Sequence, residues 1–217
     1  SGWWNLERIR DGERAVLHAA EAEFGYPAWV FGTRSYAFLG DSRIFAAYER
    51  DGRTHFCILD PETGDLEPVD VPHDAWWTTP FVAAEGRMVA YIAGSATTPN
   101  QVVVFDLGTG ETDVVRSSVS VPVDVAHFSV PHAIEFLTAR LRERGRTAHA
   151  LFYEPTSPDH EAPQGERRPL IVMSHGGPTG ATTPIFSLAT QFWTSRGFAV
   201  VDVNYGGSTG YGRAYRE

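Results

Sequence analysis

Residues 169–205 read PLIVMSHGGPTGATTPIFSLATQFWTSRGFAVVDVNY, and this stretch decides the fold of the second half of the chain. The continuous apolar run at 170–173 is typical of a strand buried on both faces of a sheet, and a second such run follows at 198–203. Between the two runs, apolar residues recur at helical spacing, at Ile185, Leu188, Ala189, Phe192 and Trp193. A strand, a helix and a strand in this order predict a βαβ unit with parallel strands and a right-handed crossover, the beginning of an α/β domain.

The predicted helix carries a start signal and a stop signal. Thr183 followed by Pro184 offers an N-cap with proline at the first helical position. Gly197 is suited to end the helix, because glycine readily adopts the left-handed conformation that commonly follows a helix. The sequence therefore predicts that the helix begins at Thr183–Pro184 and is closed by Gly197.

The first 127 residues have a different pattern, in which short apolar or alternating runs are separated by turn signals. Asp51-Gly52 lies between the runs 43–48 and 55–59, which is a good signal for a β-hairpin. A second strand pair is predicted after the turn residues 60–65.

This layout repeats along the chain. The pairs Thr63-Gly64 and Thr109-Gly110 lie 46 residues apart, and residues 87–92 parallel residues 43–48. A period of roughly 40–50 residues, with about four strands in each unit, is typical of β-propeller blades. A partial copy lies at residues 6–9. We predict partial propeller blades here; a β-sandwich with similar hairpins is the alternative on spacing alone.

The segment that joins the two halves is ambiguous. Residues 139–144 favour a helix by propensity, whereas Ile134-Glu135-Phe136 favours a strand. We predict a strand pair over 133–153, followed by a proline-containing loop over 154–168. The predicted domains are a partial β-propeller at 1–130, connecting strands and a loop at 131–168, and the start of an α/β-hydrolase domain at 169–217.

Composition excludes several classes of partner. The 217 residues carry a formal net charge of −9, which disfavours nucleic acid and anionic membranes as partners. No apolar run approaches the ~18 residues that a membrane span needs. Cys57 is the single cysteine, so the chain has no internal disulfide framework and no cysteine-based zinc site. The histidines show no ligand spacing, and we expect no metal and no cofactor.

Two expectations concern the setting of the chain. The single cysteine fits a reducing compartment, and we expect a cytoplasmic protein. The chain opens with Ser1 rather than Met and closes on Glu217 without a terminating pattern. We therefore expect both ends to be cuts inside a longer protein.

The turn after the first apolar run, His175-Gly176-Gly177-Pro178, carries the clearest chemical signal. Paired glycines let backbone N–H groups face a ligand without obstruction by side chains. Such donors stabilise the oxyanion that develops in acyl transfer, and α/β-hydrolases place a glycine-rich turn of this kind after a strand. The alternative is a plain tight turn with a capping histidine.

Residues 204–213 read NYGGSTGYGR and, together with the turn above, resemble the prolyl oligopeptidase family of serine peptidases, in particular its acylaminoacyl-peptidase-like bacterial branch. The resemblance implies a β-propeller followed by an α/β-hydrolase domain, and short peptides as substrates. It implies that the Gly177 N–H contributes to the oxyanion hole, with His175 and Gly176 shaping the turn. Gly206 departs from the pattern, since many relatives carry arginine there.

The same resemblance implies that no catalytic triad member lies in this chain. The family's nucleophile lies in a later G-x-S-x-G elbow, followed by an aspartate and then a histidine, all expected beyond Glu217. Residues 206–210 match G-x-S-x-G literally. Ser208, however, follows the very next strand after the oxyanion turn, whereas the elbow strand normally comes later. We predict a structural role for Ser208, with its hydroxyl on a backbone group and with no base available, because His175 is engaged at the turn.

The function indicated is therefore that of a fragment of a serine peptidase that acts through an acyl-enzyme. An esterase with the same turn and a non-catalytic propeller interaction module are the alternatives. On its own the chain is expected to be inactive and poorly stable, because open blades and a partial sheet leave edges and faces uncovered.

Overall fold

A computed structural model describes residues 2–27, 29–76, 81–120, 122–140, 143–161, 163–177 and 179–217. Within these ranges the chain is mostly sheet. A two-stranded hairpin comes first, followed by three four-stranded sheets. The hairpin consists of β1 (Glu7–Arg10) and β2 (Glu13–Val16).

Two of the four-stranded sheets are antiparallel meanders in which neighbours in sequence are neighbours in space. The first contains β3 (Tyr36–Phe38), β4 (Ile44–Arg50), β5 (Arg53–Leu59) and β6 (Leu66–Val69). The second contains β7 (Val82–Glu85), β8 (Met88–Ala93), β9 (Gln101–Asp106) and β10 (Thr112–Ser117). The predicted repeat is therefore confirmed as two partial propeller blades, each of four strands, and the sheets do not close into a ring.

The β-hairpin predicted at Asp51-Gly52 is confirmed, and the backbone φ angles of both residues fit the predicted turn. The two residues have φ of 53° and 70° and join β4 to β5 in a register that pairs Arg50 with Arg53. A two-residue turn with positive φ at both positions matches the right-handed twist of the strands, and Asp-Gly adopts it at low cost.

The core of the blades lies between the two meanders. Strand β8 shows which face of a strand enters this core. Val89, Tyr91 and Ala93 are buried, while Met88 and Ile92 on the other face are exposed. These residues pack with Phe45 and Phe56 of the first meander and with Trp76, which follows that meander. One apolar layer therefore lies between the two meanders.

The remaining sheet contains β11 (His132–Arg140), β12 (Glu143–Tyr153), β13 (Leu170–Ser174) and β14 (Ala199–Asn204), in the order β11-β12-β14-β13. Strands β13 and β14 are parallel, as predicted, and β12 pairs antiparallel with both β11 and β14. The predicted strand pair over 133–153 is thus confirmed, and it belongs to the same sheet as the βαβ unit. This sheet begins an α/β-hydrolase domain, while the exact domain boundaries stay a prediction.

The predicted start of the helix is wrong. Helix α1 spans Leu188–Thr194, with the Ser187 side chain accepting a hydrogen bond from the Thr190 N–H. The Thr183 hydroxyl instead donates to the backbone carbonyl of Trp76, at 2.7 Å. The segment before Ser187 therefore lies against the blades. Thr183, which resembles an N-cap residue in the sequence, makes this contact instead of capping the helix. Gly197, with φ of 86°, lies in the turn that follows the helix.

The predicted burial of the helix face and of the first parallel strand is also wrong for this chain. Leu188 and Phe192 of α1 are 51% and 48% exposed, and Val172 of β13 is 67% exposed. The inward side of α1 is polar, because the Gln191 amide bonds both the N–H and the carbonyl of Ser129. Helical spacing identified the helix but could not tell which face meets the rest of the chain.

Candidate active site

The glycine turn begins where β13 ends at Ser174. Gly177 has φ of 75°, a backbone region that only glycine adopts freely. The Tyr205 hydroxyl, from the loop after β14, donates to the Gly177 carbonyl at 2.5 Å and lies 3.2 Å from the His175 carbonyl. The N–H groups of Gly176 and Gly177 have no backbone acceptor among the described residues. The turn is thus held by its carbonyls, which leaves N–H donors for a ligand. Pro178 lies outside the described residues.

The His175 ring is fixed by two contacts. It stacks on the ring of Tyr205, with 4.5 Å between centroids, and its Nε2 lies 2.7 Å from the Ser208 Oγ. The second contact corrects an expectation, since the structure does place a histidine beside Ser208. The argument that Ser208 has no base nearby is therefore wrong.

The direction of the hydrogen bonds decides what this contact can do. The Ser208 hydroxyl has one proton, and it donates this proton to the Tyr205 carbonyl at 2.7 Å. The hydroxyl can then accept from a His175 Nε2–H, and in this tautomer His175 is a donor and not a base. Ser208 is also completely buried, and a nucleophile has to reach its substrate. The structural role of Ser208 stays a prediction, and this geometry agrees with it.

A carboxylate near His175 does not complete a triad. Asp202 of β14 interacts electrostatically with His175, and burial raises the pKa of its carboxyl. Its Oδ2 accepts a hydrogen bond from the Thr182 hydroxyl, while the His175 Nδ1 lies 3.4 Å from the Gly176 carbonyl oxygen. No carboxylate among the described residues therefore orients the His175 imidazole, as the aspartate of a catalytic triad would.

The turn forms one wall of a cleft of about 250 Å³ between the blades and the hydrolase sheet. The hydrolase side contributes His175, Gly176, Thr179, Gly180, Thr209 and Gly210. The blade side contributes Glu23, Tyr26, Trp29, Glu49 and Trp76. Its volume is somewhat below the ~300–1,000 Å³ of typical ligand pockets.

Direct contacts hold the two walls together. The Trp29 indole N–H donates to the Thr179 hydroxyl at 2.6 Å, two residues beyond Gly177. Further away from the turn, the Arg216 guanidinium pairs with Glu23 at 2.8 Å and lies over the Trp4 ring at 3.9 Å. The blades therefore position the turn as well as enclosing it.

The blade wall carries two buried carboxylates, Glu23 and Glu49, with relative exposures of 1% and 5%. Glu23 is neutralised by Arg216 and also accepts from the Trp4 backbone N–H. Burial raises the pKa of Glu49 to about 7, and hydrogen bonds from Thr54 and Trp76 offset part of the rise. The cleft thus has an acidic group that ionises near neutral pH.

The raised pKa of Glu49 predicts how the Glu49→Gln variant changes stability. The folded pKa of about 7 lies above the ordinary 4.5, so the cost of ionising Glu49 in the folded state appears as pH rises through this window. Glu23, paired with Arg216, is the charged group that faces it. Glu49→Gln is expected to stabilise the protein by about 3 kcal/mol at pH 8 and by little at pH 4.5. Urea unfolding at both pH values measures this, and an equal effect at the two would contradict it.

No sequence motif predicts the blade wall of the cleft. Glu23, Tyr26, Trp29 and Glu49 stand in no motif, and Arg216 is 193 positions from the carboxylate it pairs with. The hydrolase wall, in contrast, coincides with the two glycine-rich stretches singled out from the sequence.

Two further properties belong to the described residues. No group of three or more histidine, cysteine, aspartate or glutamate side chains is arranged to hold a metal ion in that part of the chain. None of the helices in the described ranges is long and apolar enough to cross a membrane.

Comparisons with known proteins agree with this architecture. A model of the prolyl oligopeptidase family matches residues 184–217. The acylamino-acid-releasing enzyme of Homo sapiens is 38% identical over 69 residues, which are 32% of this chain and 9% of that protein.

Solved structures extend the likeness over nearly the whole chain. A Mycobacterium tuberculosis puromycin-hydrolyzing peptidase is 40% identical with a TM-score of 0.89, covering 99% of this chain and 33% of that one. A puromycin hydrolase is 38% identical with a TM-score of 0.86, covering 99% of this chain and 32% of that one. The chain therefore spans about a third of the length of these solved relatives.

Partial propeller blades packed on the first strands of an α/β-hydrolase sheet, with a glycine turn facing the cleft between them, define a propeller-bearing α/β-hydrolase. The NYGGSTGYGR stretch, the matched family model and the solved relatives narrow this class further. By these likenesses the chain resembles the prolyl oligopeptidase family, whose model matches residues 184–217.

Proposed function

We propose that this chain is part of a longer serine peptidase that hydrolyses short peptides through an acyl-enzyme. The observation that carries the proposal is the turn at residues 175–177. The Gly176 and Gly177 N–H groups lack backbone acceptors among the described residues, and His175 and Gly176 line the cleft walled by the blades. In this role the Gly177 N–H donates to the oxyanion of the tetrahedral intermediate. The blades restrict entry to short or unfolded peptides.

The nucleophile, its histidine and its aspartate lie outside residues 1–217 in this proposal. The buried Ser208 and the donor role of His175 support placing the nucleophile elsewhere. The chain expressed alone carries no activity on this account. The relatives named for hydrolysing puromycin and for releasing acylamino acids support cleavage of amide bonds rather than of simple esters.

A serine-directed phosphonate tests where the nucleophile lies. The full-length protein is treated with the reagent, and the labelled serine is mapped by mass spectrometry. We expect the adduct on a serine outside residues 1–217. We also expect Ser208→Ala to lose far less activity than the ~10⁴–10⁶-fold that removal of a true nucleophile causes.

Two outcomes would count against the proposal. An adduct on Ser208 would place the nucleophile inside this chain. No adduct at all, together with no hydrolysis of any short peptide, would favour a non-catalytic interaction module. A G-x-S-x-G motif in the reading frame beyond Glu217, followed by aspartate and histidine, would support the enzyme.

A further inference from the structure

The loop that follows β14 lies directly against the glycine turn. The Thr209 N–H donates to the Gly180 carbonyl at 2.9 Å, just beyond the turn. The Tyr205 hydroxyl bonds the turn itself, at the Gly177 carbonyl. The two glycine-rich stretches that the sequence singles out therefore form one structural unit.

The Tyr205 hydroxyl contacts two carbonyl groups that flank one peptide bond. It lies 2.5 Å from the Gly177 carbonyl oxygen and 3.2 Å from that of His175. The His175 carbonyl belongs to the planar peptide group before the Gly176–Gly177 bond, and the Gly177 carbonyl belongs to the one after it. The peptide group between them carries the Gly177 N–H. A single hydroxyl therefore restrains the backbone on both sides of this N–H.

A turn built from glycines needs such a restraint. Glycine has more accessible backbone conformations than any other residue, and Gly177 lies in the left-handed region with φ of 75°. No described atom outside the neighbouring residues lies within 4 Å of the positions that a Cβ would take at Gly176 and Gly177. Side-chain packing around the two glycines thus restricts the turn little, and hydrogen bonds to its carbonyls have to fix it.

Tyr205 is itself held in place. Its ring stacks on the His175 ring, with 17° between the ring planes, and its backbone carbonyl accepts a hydrogen bond from the Ser208 hydroxyl at 2.7 Å. It follows Asn204, which ends β14 and is 1% exposed. A tyrosine hydroxyl has one proton, and the short bond to the Gly177 carbonyl uses it. The hydroxyl can therefore act on a reaction only through the turn.

We propose that Tyr205 is a positioning residue for the peptidase reaction. Its hydroxyl fixes the peptide group between Gly176 and Gly177, so that the Gly177 N–H points at the oxyanion. This inference rests on the proposed function, because it concerns the same oxyanion site. Donors that are oriented in advance stabilise an oxyanion best, since nothing has to reorganise as the charge develops. Without the hydroxyl, the turn also adopts orientations in which the N–H points elsewhere.

The Tyr205→Phe variant of the full-length protein tests the proposal, because it removes the hydroxyl and keeps the ring on His175. The substrates are p-nitroanilides of alanine and of short alanine peptides. We expect kcat to fall about three- to tenfold, the size of one neutral hydrogen bond, with KM nearly unchanged. The rate of inactivation by a serine-directed phosphonate should fall by the same factor, because its tetrahedral adduct uses the same donor. An unchanged kcat, or a loss confined to KM, would overturn the proposal.

Tyr215 provides the matched control. Its hydroxyl also donates to a backbone carbonyl at 2.5 Å, but this carbonyl belongs to Asn204 and not to the turn. Tyr215→Phe should therefore destabilise the protein about as much as Tyr205→Phe while keeping its kcat. Equal losses of kcat in the two variants would show that a general loosening at the end of β14 explains the effect, and would refute a specific role for Tyr205.

A double variant asks whether Tyr205 acts through the turn. Gly177→Val disrupts the turn by itself, so adding Tyr205→Phe should lower kcat little further. Losses that multiply would mean that the two residues act independently. That result would contradict positioning of the Gly177 N–H by the Tyr205 hydroxyl.

A crystal structure of the full-length Tyr205→Phe variant separates this inference from the proposed function, because it does not depend on turnover. We expect the peptide group between Gly176 and Gly177 to be rotated or present in several orientations, and to be unchanged in Tyr215→Phe. An unchanged turn in Tyr205→Phe refutes the inference even if the peptidase is active. If the unmodified protein hydrolyses no substrate and takes up no phosphonate, the proposed function fails, and the crystal structure alone decides whether Tyr205 positions the turn.

Discussion

Replacing Arg216 by methionine is expected to destabilise the full-length protein by about 3–5 kcal/mol, because Glu23 would remain buried without its cation. The two side chains are 9% and 2% exposed, and their charged atoms lie 2.8 Å apart. Arg216 belongs to the short helix α2 (Arg213–Arg216), whereas Glu23 belongs to the blade side. Loss of the pair also removes the guanidinium from the Trp4 ring, so the contact between the two parts weakens as a whole.

Unfolding in urea measures this effect, and two further variants identify its cause. Arg213→Met removes an exposed arginine from the same helix, whose partner Glu217 is 71% exposed, and should cost less than about 1 kcal/mol. The double variant Arg216→Met with Glu23→Gln should recover much of the loss, since no charge is then left unpaired. Equal destabilisation by the two single arginine variants would contradict the explanation.

Replacing Gly177 by valine is expected to lower kcat of the full-length protein by about 10²–10³-fold, the usual effect of losing one oxyanion donor. At a φ of 75° a β-branched residue is strongly strained, so the turn must change its backbone conformation. The Gly177 N–H would then no longer point where the proposed mechanism needs it. The added Cβ meets no other part of the described chain, because no described atom outside the neighbouring residues lies within 4 Å of its position.

Gly110 provides a matched control for the backbone strain. It has the same φ of 75° and also no atom within 4 Å of its Cβ position, but it lies in the turn between β9 and β10. Gly110→Val should therefore lose about as much stability as Gly177→Val while keeping its kcat. Similar losses of kcat in both variants would show that strain alone, and not the oxyanion turn, explains the effect.

The sequence by itself determined the features that depend on neighbouring residues. Asp51-Gly52 gave a tight hairpin because both residues accept a positive φ, a property of the local backbone. The 46-residue spacing of the Thr-Gly pairs gave the blades, since each repeat folds into the same four strands. The two apolar runs gave the parallel strands β13 and β14. The glycine turn is also a local feature, because glycine readily adopts the positive φ that Gly177 has.

The tertiary structure alone decided which groups meet across the chain. It moved the start of the helix from Thr183 to Leu188, because the Thr183 hydroxyl bonds a blade carbonyl 107 positions away. It turned the polar side of that helix inward, and it placed His175 against Ser208. It also placed Glu49 and Tyr26 together in one cavity beside the turn. Periodicity and turn chemistry act over a few residues, whereas these contacts depend on how whole sheets pack, and packing leaves no local pattern in the sequence.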